Sequence, residues 1–316
     1  MRYQPLGDSG LQVSVVGLGC NNFGRDSDLE MTRGVVDAAI DAGITLFDTA
    51  DIYGATRGAS EQLLGQVLGK RRDDIVLATK FGMNMEGANG PDWGARGSRR
   101  YIRKAIEASL RRLDTDWIDL YQYHQPDGVT PVEETLGALD ELIAEGKVRY
   151  IGSSNFASWQ VVEADFLARD AGANRFISAQ NHYSLIQPEA EAELAPACEA
   201  YGVGILPFYP LANGLLTGKH RRGEPPVADS RIAKRRTDLH EGADWDLIER
   251  LESFAQDSGH TLVELAIAGL AEQPAVSSVI AGARTADQVK ANAAAGEWDL
   301  TAAEVAELES LRTPPV

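Results

Sequence analysis

Four polar residues could do chemistry together in this sequence. They are Asp48 and Tyr53 in FDTADIYG (47–54), Lys80 closing DIVLATK (74–80), and His124 closing WIDLYQYH (117–124). A free phenol, with a pKa of ~10, is a poor acid at neutral pH. A neighbouring ammonium favours the phenolate and lowers that value. Lys80 can supply the ammonium, and Asp48 the counter-charge that keeps a desolvated lysine ionised. Tyr53 would then donate a proton to a carbonyl oxygen as hydride reaches the carbon. His124 would give the same oxygen a second hydrogen bond.

Each residue has a plainer reading when taken singly. An aspartate after a strand commonly caps a turn. A lysine can be the solvated end of a strand, a histidine an interior hydrogen-bonding group, and a tyrosine a packed aromatic. Their joint placement argues for use, because a polar cluster in an apolar setting is costly unless it is fully paired or functional.

Something must bring the four together. Asp48, Lys80 and His124 each end an apolar run, and each shares a strand face with the residues two and four before it. Eight such runs occur: 15–19, 44–49, 74–80, 117–124, 148–154, 176–180, 203–208 and 276–282. Helical patterns separate many of them. In 28–43, Met31, Val35, Ala38, Ala39 and Ala42 form one stripe, and Gly43 suits the C-terminal cap. Segment 60–70 opens on Ser60 as its expected cap, 98–114 repeats Ile102, Ile106, Leu110 and Leu113, 131–147 opens on a proline, and 261–274 ends at one. The alternation predicts a single α/β domain over residues 1–316, a (β/α)₈ TIM barrel. YQPL and LQVSVV around GDSG predict an N-terminal β-hairpin. Barrel enzymes work at the C-terminal ends of their strands, where these polar residues fall. The stretch from about 212 to 245 lacks a clear apolar period and predicts an extended loop on that face.

Composition narrows the classes. The 316 residues are 44% hydrophobic and 24% charged with a net charge of −17, a globular profile without the basic footprint of a nucleic-acid binder. The segment 218–238 is locally basic and reads either as a solvated loop or as a cover over phosphates, with Arg222 or Arg231 as candidates. No apolar run reaches the ~18 residues of a membrane span, and the opening MRYQPLGDSG offers no secretory core, so a cytoplasmic location is expected. Two cysteines and five scattered histidines give neither a disulfide framework nor a metal motif. GLGCNN (17–22) supplies G-x-G but not the third glycine of a Rossmann turn, and G-x-S-x-G is absent.

The motifs GLGCNNFG, FDTADIYG, SEQLLG, LATKFG, SLRRLDTDWIDLYQYHQPD, GKVRYIGSSNF, PLANGLLTGK and AGARTADQV occur in this order. Through them the chain resembles the aldo-keto reductase family across essentially its whole length, most of all the branch that also contains the beta subunits of voltage-gated potassium channels. The resemblance implies that Tyr53 is the acid, Lys80 its tuner, Asp48 the partner of Lys80, and His124 the group that orients the carbonyl. It implies a nicotinamide dinucleotide, usually the phosphorylated one, held without a Rossmann domain. Ser154, Asn155 and Gln180 would hold the carboxamide and Phe208 would stack on the ring. Tyr209 stands where the family commonly has a small residue. Leu211, Gly214, Leu215, Thr217 and Lys219 resemble the pyrophosphate loop. Gly282 allows close backbone approach, Arg284 suits a 2′-phosphate and so NADPH, and Gln288 and Asn292 would reach the adenosine. Asp287 could weaken that preference by pairing with Arg284. Ala291 departs from the pattern, since many members place a glutamate there.

The substrate expected is a small carbonyl compound of apolar or aromatic character, with Asn22, Phe23, Met83, Trp93 and the C-terminal tail at the rim. Homo-oligomerisation is left open. Two other readings remain. One is a nicotinamide-binding adaptor subunit of low turnover, against which stand the complete catalytic four and the lack of a long N-terminal extension. The other is a barrel that uses Lys80 as a Schiff-base amine, against which stands Asp48.

Overall fold

A computed structural model describes residues 1–312. Strands β1 (Tyr3–Pro5) and β2 (Gln12–Ser14) form the antiparallel N-terminal hairpin. Eight strands follow: β3 (Val16–Gly19), β4 (Leu46–Asp48), β5 (Val76–Phe81), β6 (Ile118–Tyr123), β7 (Val148–Ser154), β8 (Phe176–Gln180), β9 (Gly204–Ile205) and β10 (Val279–Gly282). They pair in parallel in the order β10-β3-β4-β5-β6-β7-β8-β9. Parallel bridges from Ile205 to Val276 and from Phe208 to Ile280 join the last strand to the first, which closes the (β/α)₈ barrel.

The helices are α1 (Leu29–Asp41), α2 (Ala59–Leu68), α3 (Arg99–Leu113), α4 (Val132–Ala144), α5 (Ser158–Ala171), α6 (Leu194–Tyr201), α7 (Arg231–Arg235), α8 (Thr237–Glu241), α9 (Trp245–Asp257), α10 (Leu262–Ala271), α11 (Ala286–Ala295) and α12 (Ala302–Arg312). None among the described residues is long and apolar enough to cross a membrane.

Two hydrophobic layers position the site. The outer one lies between strands and helices. The inner one fills the barrel with Leu46, Ala78, Leu120, Leu206 and Ile280, and hairpin residues Leu6 and Val13 join it from below. Moving two residues up β4, β5 and β6 from Leu46, Ala78 and Leu120 gives Asp48, Lys80 and Gln122. Because strand side chains alternate, this polar layer stands directly on the apolar one.

Local expectations fail where tertiary packing overrides sequence pattern. Ser60 does not cap α2. The cap position is Gly58 in a left-handed conformation, while Ser60 is buried inside the helix, sharing a hydrogen bond with the Thr49 hydroxyl (2.8 Å) and donating to the Cys20 carbonyl (2.8 Å). Met31 is exposed, and Thr32 and Val36 join Val35 and Ala39 on the inner face of α1. Gly43, by contrast, ends α1 as expected, in the left-handed region at φ +79° one residue past Ala42, with its N–H donating to Ile40 O (2.9 Å). The run 203–208 yields only a two-residue ladder, because Pro207 has no N–H to give. The stretch after 212 is not one loop but a tight turn at 212–217 followed by the short helices α7 and α8.

Candidate active site

The chain leaving β4 stays beside β5: Thr49 N–H donates to Ala78 O (2.9 Å) and Asp51 N–H to Lys80 O (3.1 Å). It then turns, with Tyr53 N–H donating to Ala50 O and Ser60 N–H to Tyr53 O, both at 3.1 Å. This fixes Tyr53 by its backbone on both sides. His124 is fixed by its own N–H to Phe81 O (2.8 Å) and by Asn155 Nδ2 donating to its carbonyl (2.9 Å).

The structure brings all four expected residues together. Lys80 Nζ donates to Asp48 Oδ2 (2.6 Å), to Thr49 O (2.9 Å) and to the Tyr53 hydroxyl (3.3 Å), so each of its three hydrogens has an acceptor. Burial alone would lower the lysine pKa, but Asp48 and Tyr53 outweigh it and the value is raised, so Lys80 stays an ammonium.

Tyr53 corrects the expected tuning. Lys80 does pull its pKa down, but burial pushes it up by more, with Asp48 adding to the rise, and the net shift is upward. Tyr53 is therefore fully protonated at neutral pH. Lys80 limits the rise rather than producing a fall.

Burial, then the charge of Lys80, holds His124 well below the usual imidazole value, so it is neutral. Its ring meets Tyr53 edge-on, with centroids 5.8 Å apart. Nδ1 is buried without a partner, which leaves Nε2 as the nitrogen that reaches the cavity.

One member of the site lies outside the expected set. Asp48 Oδ1 accepts from two amides, Gln180 Nε2 (2.9 Å) and Gln122 Nε2 (3.1 Å). Gln122 is fully buried and stands opposite Lys80 in the β5–β6 ladder. Its signal in the sequence was its position two residues before His124, on the same strand face.

A cavity of about 580 Å³ opens above these groups. Asp48, Tyr53, His124, Ser154, Asn155, Gln180, Phe208, Leu211, Gly214, Thr217, Lys219, Gly282, Arg284, Gln288 and Asn292 line it, together with Ala291. Leu215 does not, since it is buried in the outer core. Phe208 stacks on His182 at a centroid distance of 5.6 Å. Thr217 Oγ1 donates to Gly214 O (2.6 Å), tightening the turn before Lys219.

Lys219 has a lowered pKa, from burial and then from Arg284, so the two cations share one corner of the cavity. Among the described residues neither has a carboxylate partner, and Asp287 makes no ion pair with Arg284. Gln288 Oε1 accepts from Arg284 N–H (2.8 Å), and Thr285 caps α11. Unpaired, partly desolvated like charges are unfavourable alone and suit an anion.

The basic segment covers part of the opening. Asp229, Arg231, Lys234 and Arg235 line the cavity, and Arg235 reaches across to Asp26 (3.1 Å). Arg231 donates to the Tyr209 hydroxyl (2.9 Å), whose residue holds φ +55°. Arg222 is directed away, paired with Asp246 and Glu249.

The expected substrate rim is only partly present. Asn22 and Met83 line the cavity. Phe23 is fully buried in the core. Trp93 is 72% exposed outside the cavity, with Arg100 over its ring. Of the expected tail, residues 313–316 lie outside the described residues. No cluster among the described residues could hold a metal ion.

The chain is similar to known proteins over most of its length. A protein of Bacillus subtilis (strain 168) named uncharacterized oxidoreductase YrpG is 38% identical over 296 residues, covering 92% of this chain and 89% of that protein. A probable voltage-gated potassium channel subunit beta of Oryza sativa subsp. japonica is 37% identical, covering 92% and 90%. L-glyceraldehyde 3-phosphate reductase of Escherichia coli (strain K12) is 32% identical, covering 92% and 86%. The family model for the aldo/keto reductase family matches residues 15–313, and with these relatives it identifies the chain as a member of the aldo/keto reductase family.

Proposed function

We propose that this protein reduces an aldehyde or ketone with NADPH, and runs the reverse oxidation of the alcohol, with Tyr53 as the proton donor. The observation that carries the reading is the contact of one ammonium, Lys80 Nζ, with both Asp48 Oδ2 (2.6 Å) and the Tyr53 hydroxyl (3.3 Å).

The residues present fit a phosphorylated nicotinamide dinucleotide. Gln180 Oε1 has no partner among the described residues and faces the cavity, ready to accept from a carboxamide. Phe208 offers an aromatic face, and Lys219 with Arg284 offers a paired cationic corner for phosphate. Bound there in reduced form, the group supplies the hydride. The protein's own residues do the rest. Tyr53 gives its proton to the carbonyl oxygen, the charge of Lys80 stabilises the phenolate left behind, and Asp48 keeps Lys80 ionised. Neutral His124 donates a hydrogen bond from Nε2 to the same oxygen without adding a competing charge. Ile52, Met83 and Tyr209 on the wall favour an apolar substituent on the substrate. Reduced Cys20 and Cys198, both free and buried, fit a cytoplasmic setting.

NADPH oxidation against a panel of aldehydes, ketones and quinones tests this, with Tyr53→Phe run beside the wild type. A loss of about 10²–10⁴-fold in kcat is expected for the variant. Equal rates would remove Tyr53 from the mechanism. Absence of turnover in the wild type with every carbonyl, despite tight NADPH binding, would favour the adaptor reading suggested by the channel-subunit relatives.

A further inference from the structure

Gln122 belongs to none of the roles assigned above, yet it is fully buried at the centre of the site. An ionised carboxylate can only accept hydrogen bonds, so both amides at Asp48 Oδ1 must present their nitrogens to it. This fixes which way each glutamine faces. Gln180 spends its Nε2 on Asp48 Oδ1 (2.9 Å) and on Gln122 Oε1 (3.3 Å). Gln122 in turn gives its Nε2 to Asp48 Oδ1 (3.1 Å). Three side chains thus form a closed ring of hydrogen bonds, and the group left over toward the cavity is Gln180 Oε1.

We propose that Gln122 is a positioning residue that holds Asp48 against Lys80 and locks Gln180 with its carbonyl oxygen toward the cavity, so that the site selects a ligand amide that donates N–H there. This rests on the nicotinamide reading of the site. Without Gln122, the Gln180 amide keeps only its bond to Asp48 Oδ1 and is held less firmly in the orientation that turns Oε1 to the cavity. Asp48 Oδ1 also loses a donor, so the carboxylate is freer to turn away from Lys80. A Cβ on the neighbouring Gly152 would meet Ser178 Oγ at 2.2 Å and would also crowd Gln122 Cγ, at 3.3 Å.

The test uses Gln122→Met, which keeps length and volume but not the amide, and Gln122→Glu, which can replace the donor only while protonated. Binding is measured for NADP⁺ and for its 3-acetylpyridine analogue, which keeps the carbonyl oxygen but lacks the amide N–H. The wild type should bind the analogue about tenfold more weakly than NADP⁺, and Gln122→Met should reduce that ratio to about twofold. In turnover, Gln122→Met should lower kcat about tenfold with little change in KM for the carbonyl substrate. Gln122→Glu should show an added alkaline fall in kcat that the wild type lacks, as its carboxyl loses the donating proton. Unchanged analogue discrimination and kcat in a folded Gln122→Met would overturn the proposal. If Gln122→Met fails to fold, the Gln122→Glu pH profile decides, and a wild-type profile there overturns it. A wild type that binds no nicotinamide dinucleotide would instead overturn the site reading on which the proposal stands.

Discussion

Lys80 Nζ lies 2.6 Å from Asp48 Oδ2, and neither side chain has meaningful contact with solvent. Removing two charges from water is costly, and their attraction compensates only with good geometry and further hydrogen bonds. Here the further bonds exist on both sides: Thr49 O and Tyr53 for the lysine, Gln122 and Gln180 for the aspartate. Breaking the pair from one side should therefore be severe. Lys80→Met leaves Asp48 buried and uncompensated, and should cost about 3–5 kcal/mol in urea unfolding. Asp48→Asn keeps the amide-sized volume but leaves Lys80 without its counter-ion, and should destabilise in the same direction. A loss below about 1 kcal/mol in both would mean that the pair is not desolvated in solution.

His124 gives a pH dependence with a definite sign. Burial and Lys80 hold its folded pKa well below 6.5, whereas the unfolded chain takes up the proton near the ordinary value. The unfolded state therefore binds more protons, and stability contributed by His124 is present above about pH 6.5 and lost as pH falls below it, by at most about 1.4 kcal/mol per pH unit. His182 and His220 are shifted in the same direction, so the wild type alone does not isolate the effect. The difference between wild type and His124→Gln does. Between pH 7.5 and 5.5 the wild type should lose more stability in urea than the variant, and parallel losses would show that His124 takes up its proton freely in the folded state.

Much of this was legible because strand geometry is simple. Period two carries Asp48, Lys80 and His124 to the ends of inward faces, and terminal polar residues on apolar runs stand out in one dimension. Gln122 did not stand out, because its meaning depends on Asp48, 74 residues away. Ser60 misled for a related reason: a serine at a helix start reads as a cap until the Thr49 and Cys20 groups that claim its hydroxyl are known. Trp93 and Phe23 failed as rim residues because loop conformation decides which way an aromatic points, and no periodicity records it. The sign of the Tyr53 shift also lay beyond the sequence, since it depends on how far burial outweighs one nearby charge.

Lys219 and Arg284 should decide which dinucleotide is preferred. Burial, and then the charge of Arg284, holds the Lys219 pKa low, and a bound 2′-phosphate or pyrophosphate would relieve the repulsion between the two cations. On the proposed reading, Arg284→Ala should weaken NADPH about tenfold or more in fluorescence titrations and leave NADH nearly unchanged, because a bidentate charge-assisted contact is lost only with the phosphorylated cofactor. Equal weakening of both would assign Arg284 to the shared pyrophosphate instead.

Gly152 tests whether room at the barrel centre is functional or merely structural. A Cβ there would sit 2.2 Å from Ser178 Oγ and 3.3 Å from Gln122 Cγ. The first contact requires movement, and overpacking of a closed core typically costs about 1–3 kcal/mol. Gly152→Ala should therefore be less stable by about that amount in urea unfolding. Adding Ser178→Gly removes the worse clash and should restore most of the stability. The 3.3 Å contact with Gln122 Cγ remains and would still press on the side chain that holds Asp48. The double variant should thus recover its unfolding midpoint while keeping a lowered kcat. Recovery of both together would mean that the strain acted through Ser178 alone, and that the ring of amides around Asp48 tolerates displacement.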